Sequence, residues 1–224
     1  MKYFPVNQEI EMEINSIKKE IRLLMNGICA EQMQQYGVNY GQNFGVSWIK
    51  LRDLARRHER NYDIAERLWY MDIRETKLLA TLLVPPEKFT PAQADEWKEG
   101  ICTMELAEII SMTLLCKLPY AGTLSIQWIN SGEPWVRLSA MHTAARAAAR
   151  LSDDECLTLI HAITPDDYGE ARYNHGIRAM LEYILLTHKH LLPQIQQALA
   201  TAETSGNGYA QTVHRHMKDL IDML

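Results

Sequence analysis

Phe44-Gly-Val-Ser-Trp-Ile-Lys-Leu-Arg-Asp-Leu-Ala-Arg-Arg57 opens a stretch that runs helix, break, helix as far as Ala121 with no strand signal between. Apolar residues recur there at three- and four-residue spacing, and the breaks carry Gly, Pro or an N-capping residue. Such a pattern predicts stacked antiparallel helices. Ser47 is placed to cap the first of them, after a Gly-rich loop through Gly41 and Gly45.

Outward from this stretch the punctuation repeats. Ile10, Ile14, Ile17, Ile21 and Leu24 form one apolar stripe on a long opening helix, and Cys29 to Tyr36 forms a short second one ending at Gly37. Asn61 or Asp63 starts a helix through Trp69, and the next, through Leu78, Leu79 and Leu82, is stopped by Pro85-Pro86. Thr90-Pro-Ala-Gln93 and Ser152-Asp-Asp-Glu155 read as capping boxes, and Thr164-Pro165 repeats the Thr-Pro start. A helix from Glu105 to Lys117 ends before Pro119, another ends at Ser131-Gly132, and Pro134 opens the helix that carries Arg137, Arg146 and Arg150. Helices through Leu181, Leu199 and Met217 follow, with Thr204 to Gly208 as the last loop. That is too many helices for one bundle layer, so the expected fold is an all-α solenoid of degenerate HEAT-like helical repeats forming a single domain over residues 1–224.

The chain has 224 residues, 47% of them hydrophobic, and a formal charge of -5, so an anionic partner would need a local basic face. The N-terminus lacks the basic and apolar regions of a signal peptide, and no apolar run approaches the roughly 20 residues that span a bilayer, which suggests a cytoplasmic protein with no membrane partner. Cys29, Cys102, Cys116 and Cys156 form no Cys-x-x-Cys pair and read as reduced, buried thiols.

The opening stretch, together with Ala65-Glu-Arg-Leu-Trp69 and Ile73-Arg-Glu-Thr-Lys-Leu-Leu-Ala-Thr-Leu-Leu83, resembles the bacterial DNA alkylation repair family of HEAT-like repeat proteins. Trp97, Glu105-Leu-Ala-Glu108, Leu118-Pro-Tyr-Ala121, Trp135-Val-Arg137 and the segment from Arg172 to Ile184 extend the resemblance over most of the chain. It implies a C-shaped solenoid with a cationic concave groove for duplex DNA, alkylated or not, and a glycosylase that releases alkylated purines without a cofactor. A ring-methylated purine is already a good leaving group, so a carboxylate that stabilises the oxocarbenium-like sugar and aromatic faces that pack on the cation suffice. The family's first tryptophan and its aspartate fall here on Met104 and Glu108, its second tryptophan on Ala179 or Met180, and its groove arginine on Leu138, beside Arg137. Glu108 keeps a carboxylate in the catalytic position; the aromatic half of the site is absent.

Glu105 and Glu108 could act as paired acids or form a solvated helix face. Arg137, Arg146, Arg172, His175 and Arg178 lie in the helices that line the family's groove, and Lys50 leads a second basic cluster with Arg52, Arg56, Arg57 and Arg60; both are candidate phosphate contacts, the second alternatively a salt-bridged surface. Trp48, Trp69, Trp97 and Trp128 sit at core positions, whereas Trp135 is placed to face a ligand. His188-Lys-His190 and His214-Arg-His216 would put their imidazoles about 200 degrees apart on a helix, which argues against a metal site. No Gly-rich phosphate loop, Gly-x-Ser-x-Gly elbow or Cys nucleophile is visible. A noncatalytic solenoid that takes a protein or peptide is the alternative function; self-association is not legible.

Overall fold

The protein is described from a computed structural model covering residues 2–38, 40–204 and 207–224. Fourteen α-helices are found among these residues. They are α1 (Gln8–Leu23), α2 (Gly27–Gln35), α3 (Trp48–Ala55), α4 (Tyr62–Trp69), α5 (Arg74–Leu83), α6 (Pro91–Lys98) and α7 (Met104–Thr113), then α8 (Ala121–Ile129), α9 (Pro134–Ala147), α10 (Asp153–His161), α11 (Pro165–Gly169), α12 (Ala171–Thr187), α13 (Leu192–Thr204) and α14 (Gly208–Asp222). Among the described residues the only extended pairing is an isolated bridge between Gln42 and Ile73. None of these helices is long and apolar enough to cross a membrane. Ser205 and Gly206, in the expected last loop, lie outside the described residues.

The caps explain the boundaries. Asn7 accepts from the amides of Glu9 and Ile10 to start α1, whose stripe Ile10, Ile14, Ile17 and Ile21 is buried. Thr90 with Gln93 and Ser152 with Glu155 form the two expected capping boxes, and Thr164 forms a third with Asp167. Ser47 occupies its cap position without a side-chain bond. The helix expected over Cys29 to Tyr36 begins earlier, at Gly27, because Asn26 caps it through the Cys29 amide. Gly45 adopts a φ of 68°, and a Cβ there would sit 2.1 Å from the Asn26 carbonyl, so both its conformation and its space require glycine.

Contacts gather into two compact units, Met1–Leu114 and Leu115–Leu224. In the first, the Asn61 amide donates to the Leu83 carbonyl (2.9 Å), setting the start of α4 against the end of α5 as an antiparallel pair. The next partner, α7, runs in the same sense as α5: Arg74 meets Glu105 near their first turns, and Thr81 meets Thr113 (2.9 Å) near their last. This alternation of antiparallel pairs and parallel successors is the HEAT-like pattern. Trp69 and Trp97 stack at 4.3 Å between centroids in the core of this unit, with Phe89 edge-on to Trp97. Trp128 is also buried, in the second unit, while Trp48 is half-buried.

The second unit repeats the arrangement. Here α9, α12 and α14 run in one sense, since Trp135 meets Arg172, Asn174 bonds the Tyr209 carbonyl (2.8 Å) and Glu182 meets His216 (3.1 Å). Gly176 lets α12 approach α9 closely: a Cβ there would lie 2.7 Å from Leu138 and 3.2 Å from Met141.

A buried ionic network ties the Phe44 loop to α5 and α7. Glu75 is fully buried and accepts the amides of Phe44 (3.1 Å) and Val46 (3.2 Å). Arg74, equally buried, donates to Glu75 (2.9 Å), to the Val46 carbonyl (2.9 Å), and twice to Glu105 (2.8 and 2.5 Å). Every strong donor and acceptor therefore has a partner. Removing Arg74 leaves two carboxylates facing each other without their cation, so Arg74→Ala should lose about 3–5 kcal/mol of unfolding free energy in urea titrations. A variant as stable as the wild type would show that the network is dispensable.

Candidate nucleic-acid interface

Pro134 supplies N1 of α9, and the Ala-rich run behind it has high helix propensity. Trp135, His142 and Arg146 follow at spacings of seven and four, which aligns them along one stripe of α9. On α12, Arg172, His175 and Arg178 recur every three residues and share one side of that helix. Close packing at Gly176 brings the two rows together. The Arg172 guanidinium lies over the half-buried Trp135 ring, 5.9 Å from its centroid, and the rings of His142 and His175 are 5.4 Å apart.

Within this strip Arg146 and His175 are exposed and Arg178 is half-buried; among the described residues none of the three has a carboxylate within ion-pair reach. Arg146 donates to the carbonyl of His142, one turn back on its own helix. Arg172 is exposed and, among the described residues, its one ion pair is with Glu170 (3.0 Å). Arg137 points elsewhere: it bonds Asp167 (2.5 Å) and the Ala162 carbonyl (3.1 Å), with Tyr173 against its guanidinium, and so stitches α9 to α11. Lys50 lies apart from these residues in sequence, exposed on α3 in the first unit. Two of its neighbours are in ion pairs, Arg56 with Asp53 (3.0 Å) and Arg57 with Glu20 (2.7 Å).

On α7, Glu108 is half-buried and Met104 half-exposed. Glu105 is neither a free acid nor part of a solvated face, because both its oxygens hold Arg74. Of the positions corresponding to the resembled family's second tryptophan, Met180 is fully buried and Ala179 half-buried. Leu138, at its groove arginine, is in the core.

Two expectations need correction. Only Cys156 is a buried thiol; Cys102 is exposed, Cys29 and Cys116 are half-buried, and none of the four is in a disulfide. The His188-Lys-His190 imidazoles do not point apart, because α12 ends at Thr187 and a 3₁₀ turn follows, so both rings meet Asp153. No spacing rule for a continuous helix applies across that break.

A cavity of about 550 Å³ in the first unit has no counterpart among the sequence motifs. The buried Lys77 lines it, its Nζ 4.9 Å from the Trp69 ring and its pKa lowered by burial. Asp72, Asp95, Glu96 and Glu99 line it too, a surplus of carboxylates that suits no phosphate. Nothing in the pattern around Lys77 distinguishes it from a surface lysine.

The sequence profile of a family described as DNA alkylation repair enzyme matches residues 17–200. No curated protein matches the chain in sequence. A solved structure, reported as a new family of proteins related to the HEAT-like repeat DNA glycosylases with affinity for branched DNA structures, superposes with a TM-score of 0.74. The match spans 92% of this chain and 94% of that one at 14% identity, a likeness of fold.

His142 ties the strip to stability. Burial, with Arg146 and His175 adding nearby positive charge, pushes its imidazole down to about 3. An unfolded chain takes up this proton near the usual value of about 6.5, whereas the folded one resists until about 3, so stability falls as pH drops through that window. Thermal melts between pH 7 and pH 4 should show that decline, by at most about 1.4 kcal/mol per pH unit from this group, and His142→Gln should flatten it. An unaltered acid limb in the variant would contradict this assignment.

Proposed function

Because the chain belongs to the DNA alkylation repair enzyme family, we propose that it binds DNA through the α9–α12 strip and has lost efficient excision of alkylated purines. One observation carries the reading: Arg146, Arg172, His175 and Arg178 gather on adjoining helices with little acidic compensation, in a chain whose formal charge is -5. Phosphate binding needs only a few such charges on one face. Arg137 positions the strip through Asp167, and Lys50 supplies a separate phosphate contact on α3. Trp135, braced by Arg172, offers an aromatic face on which an unpaired base can stack. That feature suits DNA with a junction or an unpaired nucleotide, in keeping with the affinity for branched DNA reported for the related structure.

The loss of excision follows from residues on α7 and α12. Glu108 would stabilise a cationic sugar, but its side chain is one methylene longer than aspartate, and a misplaced charge of about an ångström costs on the order of a hundredfold in rate. Methionine at position 104 lacks the ring quadrupole that attracts a cationic base, and Met180 is too buried to touch one.

Two measurements test the reading. Affinity for duplex and four-way-junction DNA should fall as salt rises, and Arg146→Glu with Arg178→Glu should weaken binding to both; each lost phosphate contact should reduce the salt slope by about 0.9. Undetectable binding at low salt would sink the proposal. Incubation with DNA carrying N7-methylguanine or N3-methyladenine should release base at a rate close to the spontaneous one, and Glu108→Gln should leave that rate unchanged. Rapid release that depends on Glu108 would restore the glycosylase reading.

A further inference from the structure

At the C-terminal end of α12, three side chains converge from separate segments. Asp153 begins α10, His188 follows the last residue of α12, and His190 lies in the 3₁₀ turn before α13. Nδ1 of His188 lies 2.9 Å from Oδ1 of Asp153, and Nε2 of His190 lies 2.8 Å from Oδ2. One atom from each, His188 Nδ1 or Nε2 among them, lies within 4.8 Å of the others.

The decisive contact is on the far side of the His188 ring. Its Nε2 lies 3.0 Å from the Ala148 carbonyl, which can only accept, so this nitrogen carries a hydrogen. A neutral imidazole then presents the lone pair of Nδ1 to a carboxylate oxygen at 2.9 Å, two acceptors with no proton between them. Either a further proton between the two atoms or a metal ion resolves this. The His190 contact needs neither, since one N–H satisfies it.

We propose that Asp153, His188 and His190 form a three-ligand site for a zinc-class transition-metal ion, with Nδ1 of His188, Nε2 of His190 and a carboxylate oxygen of Asp153 as donors. Two imidazoles and a carboxylate suit zinc, and Nε2–H of His188 on a backbone carbonyl is the outer bond that fixes the tautomer of a metal-ligating histidine. Small outward movements of the exposed His190 and Asp153 accommodate ligand bonds of about 2.0–2.1 Å. His188 is mostly buried and stays anchored. The fourth position is open to solvent, as in sites that keep a water. The ion would clamp the start of α10 to the α12–α13 turn.

The test uses the full-length protein stripped with chelator and titrated with zinc, with magnesium as the oxygen-preferring control. Calorimetry should find a site lost in His190→Ala and in Asp153→Asn, both exposed positions whose replacement spares the core. Saturating zinc, about 100-fold above its dissociation constant, should raise the melting temperature by about 5 °C or more in the wild type and not in the variants. Cobalt in place of zinc should give a visible d–d band that the variants lack. No zinc binding at about 100 µM would overturn the proposal and leave the His188–Asp153 contact as a hydrogen bond with a proton between the two atoms. Zinc binding that survives both substitutions would also overturn it, by placing the ion elsewhere.

Discussion

Arg74, buried between the carboxylates of Glu75 and Glu105, is the interaction on which the first unit depends. Two carboxylates and a guanidinium are taken from water, a cost that returns only when every donor and acceptor is met. The Phe44 and Val46 amides and the Val46 carbonyl complete that condition, so the loop before α3 is held to the same network that joins α5 to α7. Since Glu105 lies in the first turn of α7, one helical turn from Glu108, the same network also anchors the start of that helix.

This bears on why the family is legible. The stretches Phe44-Gly-Val and Ile73-Arg-Glu, which carry much of the resemblance, are the two sides of that network. They report a way of holding helices together. Chemistry in such a fold is carried by side chains that the packing leaves outward, and these can change while the scaffold persists. Met104, exposed on α7, and Ala179, half-buried on α12, lie outside the packed core.

Local signals read well from sequence. The Ile10 to Ile21 stripe, the Thr90 and Ser152 boxes and Pro134 at the start of α9 each depend on neighbours within four residues, and each appears where expected. What depends on distant partners did not. Glu105 reads as a surface acid until Arg74 arrives from another helix, and Arg137 reads as a free cation until Asp167 does. The break between His188 and His190 has no proline or glycine at Thr187 itself; its nearest signal is Pro193, which sits in the first turn of α13 and marks the next start more clearly than the stop. The Gly176 contact, which brings the α9 and α12 rows side by side, is invisible without the fold.

The central claim is that the α9–α12 strip is the surface that meets DNA. Hydroxyl-radical footprinting of the protein, with and without a four-way junction, tests it most directly because it reports individual side chains. The account predicts that Trp135 and His175 become protected while the exposed Met12 and Tyr3 of the first unit keep their reactivity. Tight binding that leaves Trp135 and His175 as reactive as in the free protein would contradict it.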